Sequence, residues 1–251
     1  MPRAVFEELK RPPAYRTAEL AIRAKILDGT LAPGSLLPPE HDLAEQLGVT
    51  RPTVREALRA LESSGLLARG PRRRMAITAP DAKVTTNAMH EAIVLHGISY
   101  RELWEVNSTL EPLAAKLAAE HAGAALIARI GENLQRTADC LDDPSALVSA
   151  DIEFHDLVAQ AAGNHALLLA REPLADLLIP AYEMVIRRIG PGRRLFEAHS
   201  RIFSAVRDGD AATAEEWMSK HLVDFRRGLE LAGLDLATPV KASSPQKPHS
   251  D

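Results

Sequence analysis

At 251 residues the chain is long enough for two modest domains with real cores, and its composition, 46% hydrophobic but only 4% aromatic, favours helix packing over a large sheet. One cysteine, Cys140, excludes an internal disulfide and fits a reducing cytoplasm. The net charge of −4 hides an asymmetry: residues 1–80 hold 13 Lys and Arg against 9 Asp and Glu, whereas residues 81–251 hold 17 against 25.

No apolar run reaches membrane-spanning length, because the richest one, Leu174–Ile186, is broken by Asp176, Pro180 and Glu183. The N-terminus lacks the apolar core of a signal peptide. These features predict a cytoplasmic protein without membrane contact.

Residues 1–12 read as a flexible tail. A helix follows over Tyr15–Asp28, with Gly29 as its stop, and LAPGSLLPPE (residues 31–40) forces a turn and a short extended segment. Glu40–Leu47 reads as a short helix ending at Gly48. The stretch Thr50–Gly65 reads as another, with Thr50 as N-cap, Pro52 in the first turn, and Val54, Ala57, Leu58 and Leu61 as one apolar stripe. Arg51, Thr53 and Arg55 fall off that stripe near the helix N-terminus, where free N–H groups and guanidinium forks suit phosphates and base edges. An amphipathic helix with ordinary surface arginines would show the same pattern.

Two short helices joined by a tight Gly-containing turn make a helix-turn-helix. Strand-like runs at Leu66–Ala68 and Met75–Thr78 flank Arg69-Gly-Pro-Arg-Arg-Arg74, which reads as a hairpin wing with Arg72, Arg73 and Arg74 at its tip. The segment LLPPEHDLAEQLGVTRPTVREALRALESSGLLAR resembles the winged helix of GntR-family bacterial transcription regulators. The resemblance implies that Arg51 and Arg55 contact double-stranded operator DNA, supported by Thr50, Thr53 and Gly70. His41 stands where these regulators usually carry an arginine.

From Thr86 onward the chain reads as helices over 86–96, 99–121, 124–141, 145–162, 165–189 (kinked near Pro180), 192–208 and 210–232, an all-α bundle with glycines at the joints. Three of these helices break their own apolar stripe in the same way. Asp151 and His155 sit four apart among Leu147, Phe154 and Val158. His199 lies amid Leu195, Ile202 and Val206, and His221 amid Trp217, Met218, Leu222 and Phe225. A single inward histidine is more often a hydrogen-bonded core residue, but one Asp and three His sharing one interior make a common cation the economical reading. Such donors suit a divalent transition metal, zinc first, with Ni or Mn also compatible.

This pattern, with ELWEVNSTLEPLAAKLAAEHA (residues 102–122) as a long early helix, resembles the FCD ligand-sensing domain attached to many GntR regulators, in a FadR-like arrangement. The resemblance implies a metal held by Asp151, His155, His199 and His221 at the floor of a pocket, where a small organic acid completes its coordination. Many relatives carry an arginine at the position of Asn107, which makes Asn107 an expected effector-binding residue; Arg101, Arg187 and Arg188 are candidate replacements for the charge. His90, His96, His121 and His165 fall near helix ends, where a polar residue is unremarkable.

The expected organisation is therefore a mainly α protein: a winged helix-turn-helix over residues 13–80, an all-α effector-binding and dimerisation domain over 81–236, and a disordered tail over 237–251. The expected function is a ligand-responsive transcription regulator, a repressor by analogy with most relatives, binding a two-fold operator as a homodimer. The alternatives are the same regulator with a purely structural metal, or a metal-dependent hydrolase or lyase.

Overall fold

In the computed structural model the chain divides into two compact units, Met1–Thr85 and Thr86–Asp251. The structure describes residues 12–71, 74–78 and 82–241, with the side chains of 82–85 excepted. The expectations for residues 1–11, for Arg72 and Arg73, and for residues 242–251 lie outside the described residues. No helix among the described residues is long and apolar enough to cross a membrane.

The first unit contains α1 (Ala14–Leu27), α2 (Glu40–Leu47), α3 (Arg51–Ser63) and a hairpin of β1 (Leu67–Arg69) and β2 (Met75–Ile77). The strands pair antiparallel in the register Leu67↔Ile77, Ala68↔Ala76 and Arg69↔Met75, and Leu36 adds a bridge to Ala76. The core joins Ile22 and Ile26 of α1 to Leu37, Leu43, Val54, Leu58, Leu61 and Ile77. The stripe on α3 that the spacing indicates is thus the face that α3 buries. Gly48 closes α2 in the left-handed conformation, at φ 63°, the backbone state glycine adopts without steric cost.

The second unit is a helical bundle: α4 (Ala82–Leu95), α5 (Tyr100–His121), α6 (Ala124–Asp139), α7 (Pro144–Ala161), α8 (His165–Ile189), α9 (Gly192–Asp208) and α10 (Ala211–Leu231). Local chemistry starts several of them. Ser99 and Glu102 form a reciprocal capping box on α5, and Asp143, Asn164 and Asp210 accept backbone N–H groups at the starts of α7, α8 and α10. The unit has two main apolar clusters. One gathers Ala114, Ala118, Phe154, Ile202 and Met218; the other gathers Leu177, Leu178, Tyr182, Phe225 and Leu229. Full burial of a side chain the size of Phe154 contributes about 1.5–3 kcal/mol.

The chain beyond Leu234 departs from the tail expected from residue 237. Leu236 and Val240 are buried in the second cluster. The same stretch also supplies acceptors to the start of α5: Tyr100 N–H donates to Thr238 O at 3.1 Å and Arg101 N–H to Leu236 O at 2.9 Å. Those first-turn N–H groups have no partner within the helix, so the returning chain satisfies them. Its Pro, Ser and Lys content hid one apolar residue with a place to go, Val240.

Gly192, at the start of α9, allows the closest approach in the bundle: a Cβ there would stand 2.5 Å from the Leu141 carbonyl oxygen. Gly192→Ala is expected to lower the unfolding free energy by about 1–3 kcal/mol, as overpacking against backbone does. Gly123→Ala, which meets nothing within 4 Å but removes the N-cap glycine of α6, is expected to change it by less than about 1 kcal/mol. Urea unfolding of both variants measures the difference.

Candidate metal centre and nucleic-acid interface

Three helices of the second unit bring Asp151 and His155 (α7), His199 (α9) and His221 (α10) together, with one donor atom from each lying within 4.8 Å of the others. Asp151, His155 and His199 are buried; His221 is half-buried. The arrangement has the marks of a cation site. Asp151 Oδ1 and both nitrogens of His199 are buried without a hydrogen-bond partner. His155 Nε2 faces His221 Nε2 at 3.2 Å, and His199 Nε2 lies 3.4 Å from Asp151 Oδ1. Buried polar atoms left this way cost free energy unless something answers them. Phe154 stacks flat on His199, with ring centroids 3.7 Å apart, and fixes that ring.

Electrostatics prepare the same atoms. Burial, with help from the neighbouring His221 and His155, pushes His199 well below the ordinary imidazole range. Burial and His155 push His221 down to about 3. Both rings are therefore neutral and have a free lone pair, as a metal ligand needs. Burial raises Asp151 to about 6, with His155 opposing the rise and Glu111 adding to it.

Glu111 was not a candidate from the sequence, yet the site is built on it. This α5 carboxylate is 1% exposed. It accepts from His155 Nδ1 at 2.9 Å and from Arg171 Nε at 2.5 Å. Burial alone would raise its pKa; the charge of Arg171 and the hydrogen bonds from His155 and Arg171 overcome that and hold it at about 2. Arg171, on α8, also donates to Asp156 at 2.8 Å. A donor hydrogen on His155 Nδ1 leaves Nε2 as the lone-pair nitrogen, so Glu111 sets which face of the ring meets the cluster. Both residues sat on readable stripes: Leu103, Asn107, Glu111, Ala114 and Ala118 on α5, and Leu167, Arg171, Leu174 and Leu178 on α8. A charge in the middle of an apolar stripe was the signal.

A pocket with a cavity volume of about 60 Å³, continuous with solvent, opens beside the cluster between α8, α9 and α10. Asp151 and His221 are at its buried end, and Arg194, Asp224 and Arg227 are at its exposed end. Asn107 does not line this pocket. It is buried, its side chain lies against the Tyr182 hydroxyl, and its Oδ1 has no partner. The reason is rotational: its place on the inner stripe of α5 turns it toward the interior face of Tyr182. Nor do the three candidate arginines reach the pocket. Arg101 is exposed, Arg187 bonds Ser145 Oγ, and Arg188 donates to Ala232 O at 2.7 Å. The pocket's cations are Arg194, which the sequence reading missed, and Arg227. Of the histidines set aside, His90 bonds Pro173 O at 2.9 Å and His121 bonds Ala162 O at 3.2 Å.

In the first unit, Thr50 caps α3, accepting from Thr53 N–H, and the two hydroxyls bond each other at 2.8 Å. Arg51 and Arg55 are exposed, and both line a surface cleft with His41, Arg59, Arg69 and Arg74. Arg55 pairs with Glu40 at 3.0 Å and His41 with Asp42 at 2.7 Å. Arg59 and Arg69 were missed because each looked like an isolated surface charge; only folding gathers them. Arg74 differs from the expected wing-tip contact. Its Nε and Nη2 both donate to the Leu37 carbonyl, at 3.1 and 2.6 Å, so it ties β2 to the extended segment before α2. Gly70 has a packing reason as well: a Cβ would lie 3.0 Å from Leu36 Cδ2 and 3.2 Å from the Ala76 Cβ.

Comparison with known proteins adds an independent line. Residues 14–77 match the family described as bacterial regulatory proteins, gntR family, and residues 102–224 match the FCD domain. The chain is 29% identical over 233 residues to the HTH-type transcriptional repressor NanR of Edwardsiella tarda, covering 88% of this chain and 89% of that protein. It is also 29% identical over 238 residues to the NanR of Salmonella newport, with the same coverage. Among solved structures, Streptococcus agalactiae GntR superposes with a TM-score of 0.58 at 24% identity, covering 85% of this chain and 99% of that one.

Removing Arg171 strands the buried Glu111 charge. Arg171→Met is expected to lower the unfolding free energy by about 3–5 kcal/mol, against less than about 1 kcal/mol for Asp156→Ala, whose carboxylate is half-exposed. Chemical denaturation at neutral pH measures both.

Proposed function

We propose that this chain, which belongs to the GntR family of bacterial regulatory proteins and carries an FCD domain behind its winged helix, represses transcription as a homodimer on a two-fold operator and lets go when a small organic acid enters the helical unit. The chain is a DNA-binding transcription regulator and not an enzyme, so a hydrolase or lyase reading is set aside. The observation that carries the sensing role is the opening of the Asp151/His155/His199/His221 cluster onto a solvent-connected pocket.

These four residues would hold a divalent transition ion, zinc first, with nickel or manganese also compatible with nitrogen and carboxylate donors. The ion would supply a Lewis-acid position for an effector oxygen. The chain's own contribution is preparation. Phe154 and Glu111 fix two of the imidazoles, burial keeps His199 and His221 neutral, and the apolar surroundings exclude water. A purely structural ion is the second reading, supported by the complete burial of His199.

At the DNA, Arg51 and Arg55 would reach phosphates and base edges from the start of α3, with Thr50 and Thr53 bonding phosphate oxygens beside them. His41, Arg59 and Arg69 would extend the contact along the same cleft. One winged unit covers a half-site, which is why two copies are required. Coupling needs the effector and the operator to favour different arrangements of the dimer.

Elemental analysis of the purified protein is expected to find about one transition ion per chain, lost in His155→Ala/His221→Ala; no ion in wild-type protein after reconstitution would overturn the metal reading. For DNA, duplexes selected from a random pool by the wild-type protein provide the probe. Arg51→Ala is expected to weaken binding to them by about 1–3 kcal/mol while leaving circular dichroism unchanged. Unchanged affinity would remove α3 as the reading helix.

A further inference from the structure

The pocket beside the cluster carries one more step, which rests on the sensing role proposed above. Its lining sorts by depth. Asp151 and His221 lie at the inner end; Arg194, ion-paired with Asp224, and Arg227 lie at the mouth. Between them the wall is Val185, Ile186, Leu195, Phe225 and Leu231, with the ring of Tyr182. No Ser, Thr, Asn or Gln lines the pocket among the described residues. The Tyr182 hydroxyl is turned to Asn107. A ligand rich in hydroxyl groups would lose its water here and find nothing along the wall to replace it.

Charge gives a second, independent argument. With an ion bound and His155 a neutral ligand to it, the buried groups around the cluster would carry two negative charges, on Asp151 and Glu111, and one positive charge, on Arg171; Asp156 is half-exposed and solvated. A divalent ion brings the interior to one net positive charge, which a single carboxylate neutralises. A second carboxylate too close to the first to reach the arginines at the mouth would lie unpaired on the apolar wall. At the mouth, Arg194 and Arg227 outnumber Asp224, which attracts an anion toward the opening.

We infer that the effector is a monocarboxylate with an apolar aliphatic or aromatic body, and not a polyhydroxylated sugar acid or a di- or tricarboxylate. The carboxylate goes to the inner end and the apolar body lies along α8 and α10.

Calorimetric titration of the zinc-loaded full-length protein with acetate, butyrate, hexanoate, phenylacetate, gluconate and succinate tests this. Affinity is expected to rise about fourfold per methylene from butyrate to hexanoate, and hexanoate and phenylacetate are expected to bind at least tenfold more tightly than gluconate or succinate. Gluconate or succinate binding as tightly as hexanoate would overturn the inference and leave the sensing role standing. Binding by none of the six would overturn both. Because core variants can fail to fold, the variant uses two lining residues that are themselves partly exposed, Ile189 and Leu231. Ile189→Asn/Leu231→Asn is expected to weaken hexanoate at least fivefold and leave acetate unchanged; equal effects on the two acids would overturn the apolar-wall argument.

Discussion

Glu111 accepts hydrogen bonds from Arg171 and His155 in an interior that water does not reach, and much of the helical unit follows from that contact. A lone carboxylate could not stay ionised there; the Arg171 guanidinium from α8 and the His155 Nδ1–H donor from α7 let it do so. Three helices are thereby held in one register. The same bond orients the His155 ring, so that the nitrogen facing the cluster carries a lone pair. The donor cluster thus depends on a residue outside it.

The two ends of this network face different environments. Arg171 continues to Asp156 at the surface, so part of the buried charge is returned to solvent. On the other side the cluster meets the pocket, whose walls are apolar until the Arg194–Asp224 pair at the mouth. Polar groups lie deep, apolar side chains line the middle and charges form the rim.

The winged unit follows another logic. Its polar residues divide between holding the unit together and facing outward. Arg74 fastens the hairpin to the Leu37 carbonyl, whereas Arg51, Arg55, Arg59 and Arg69 line one exposed cleft. Thr50 does both, capping α3 while its hydroxyl meets that of Thr53 at the helix start. Sequence position on the wing did not separate these roles, because a guanidinium can bond a carbonyl as readily as a phosphate.

What the sequence determined by itself was set by near neighbours. Helical periodicity, Gly stops and the Thr50 cap placed α2, α3, α9 and most other helices within a residue or two, because those signals act within one turn. Asp151, His155, His199 and His221 were legible as interior residues because each interrupts its own helix's stripe. Only the tertiary structure decided which groups from different helices meet. It paired Glu111 with Arg171, sixty residues apart, turned Asn107 toward Tyr182 rather than the pocket, put Arg194 at the mouth in place of Arg101, Arg187 or Arg188, and brought Thr238 back onto the start of α5. Rotation about a helix axis and the docking of one helix on another fix such pairings, and neither is written in the spacing along a single helix.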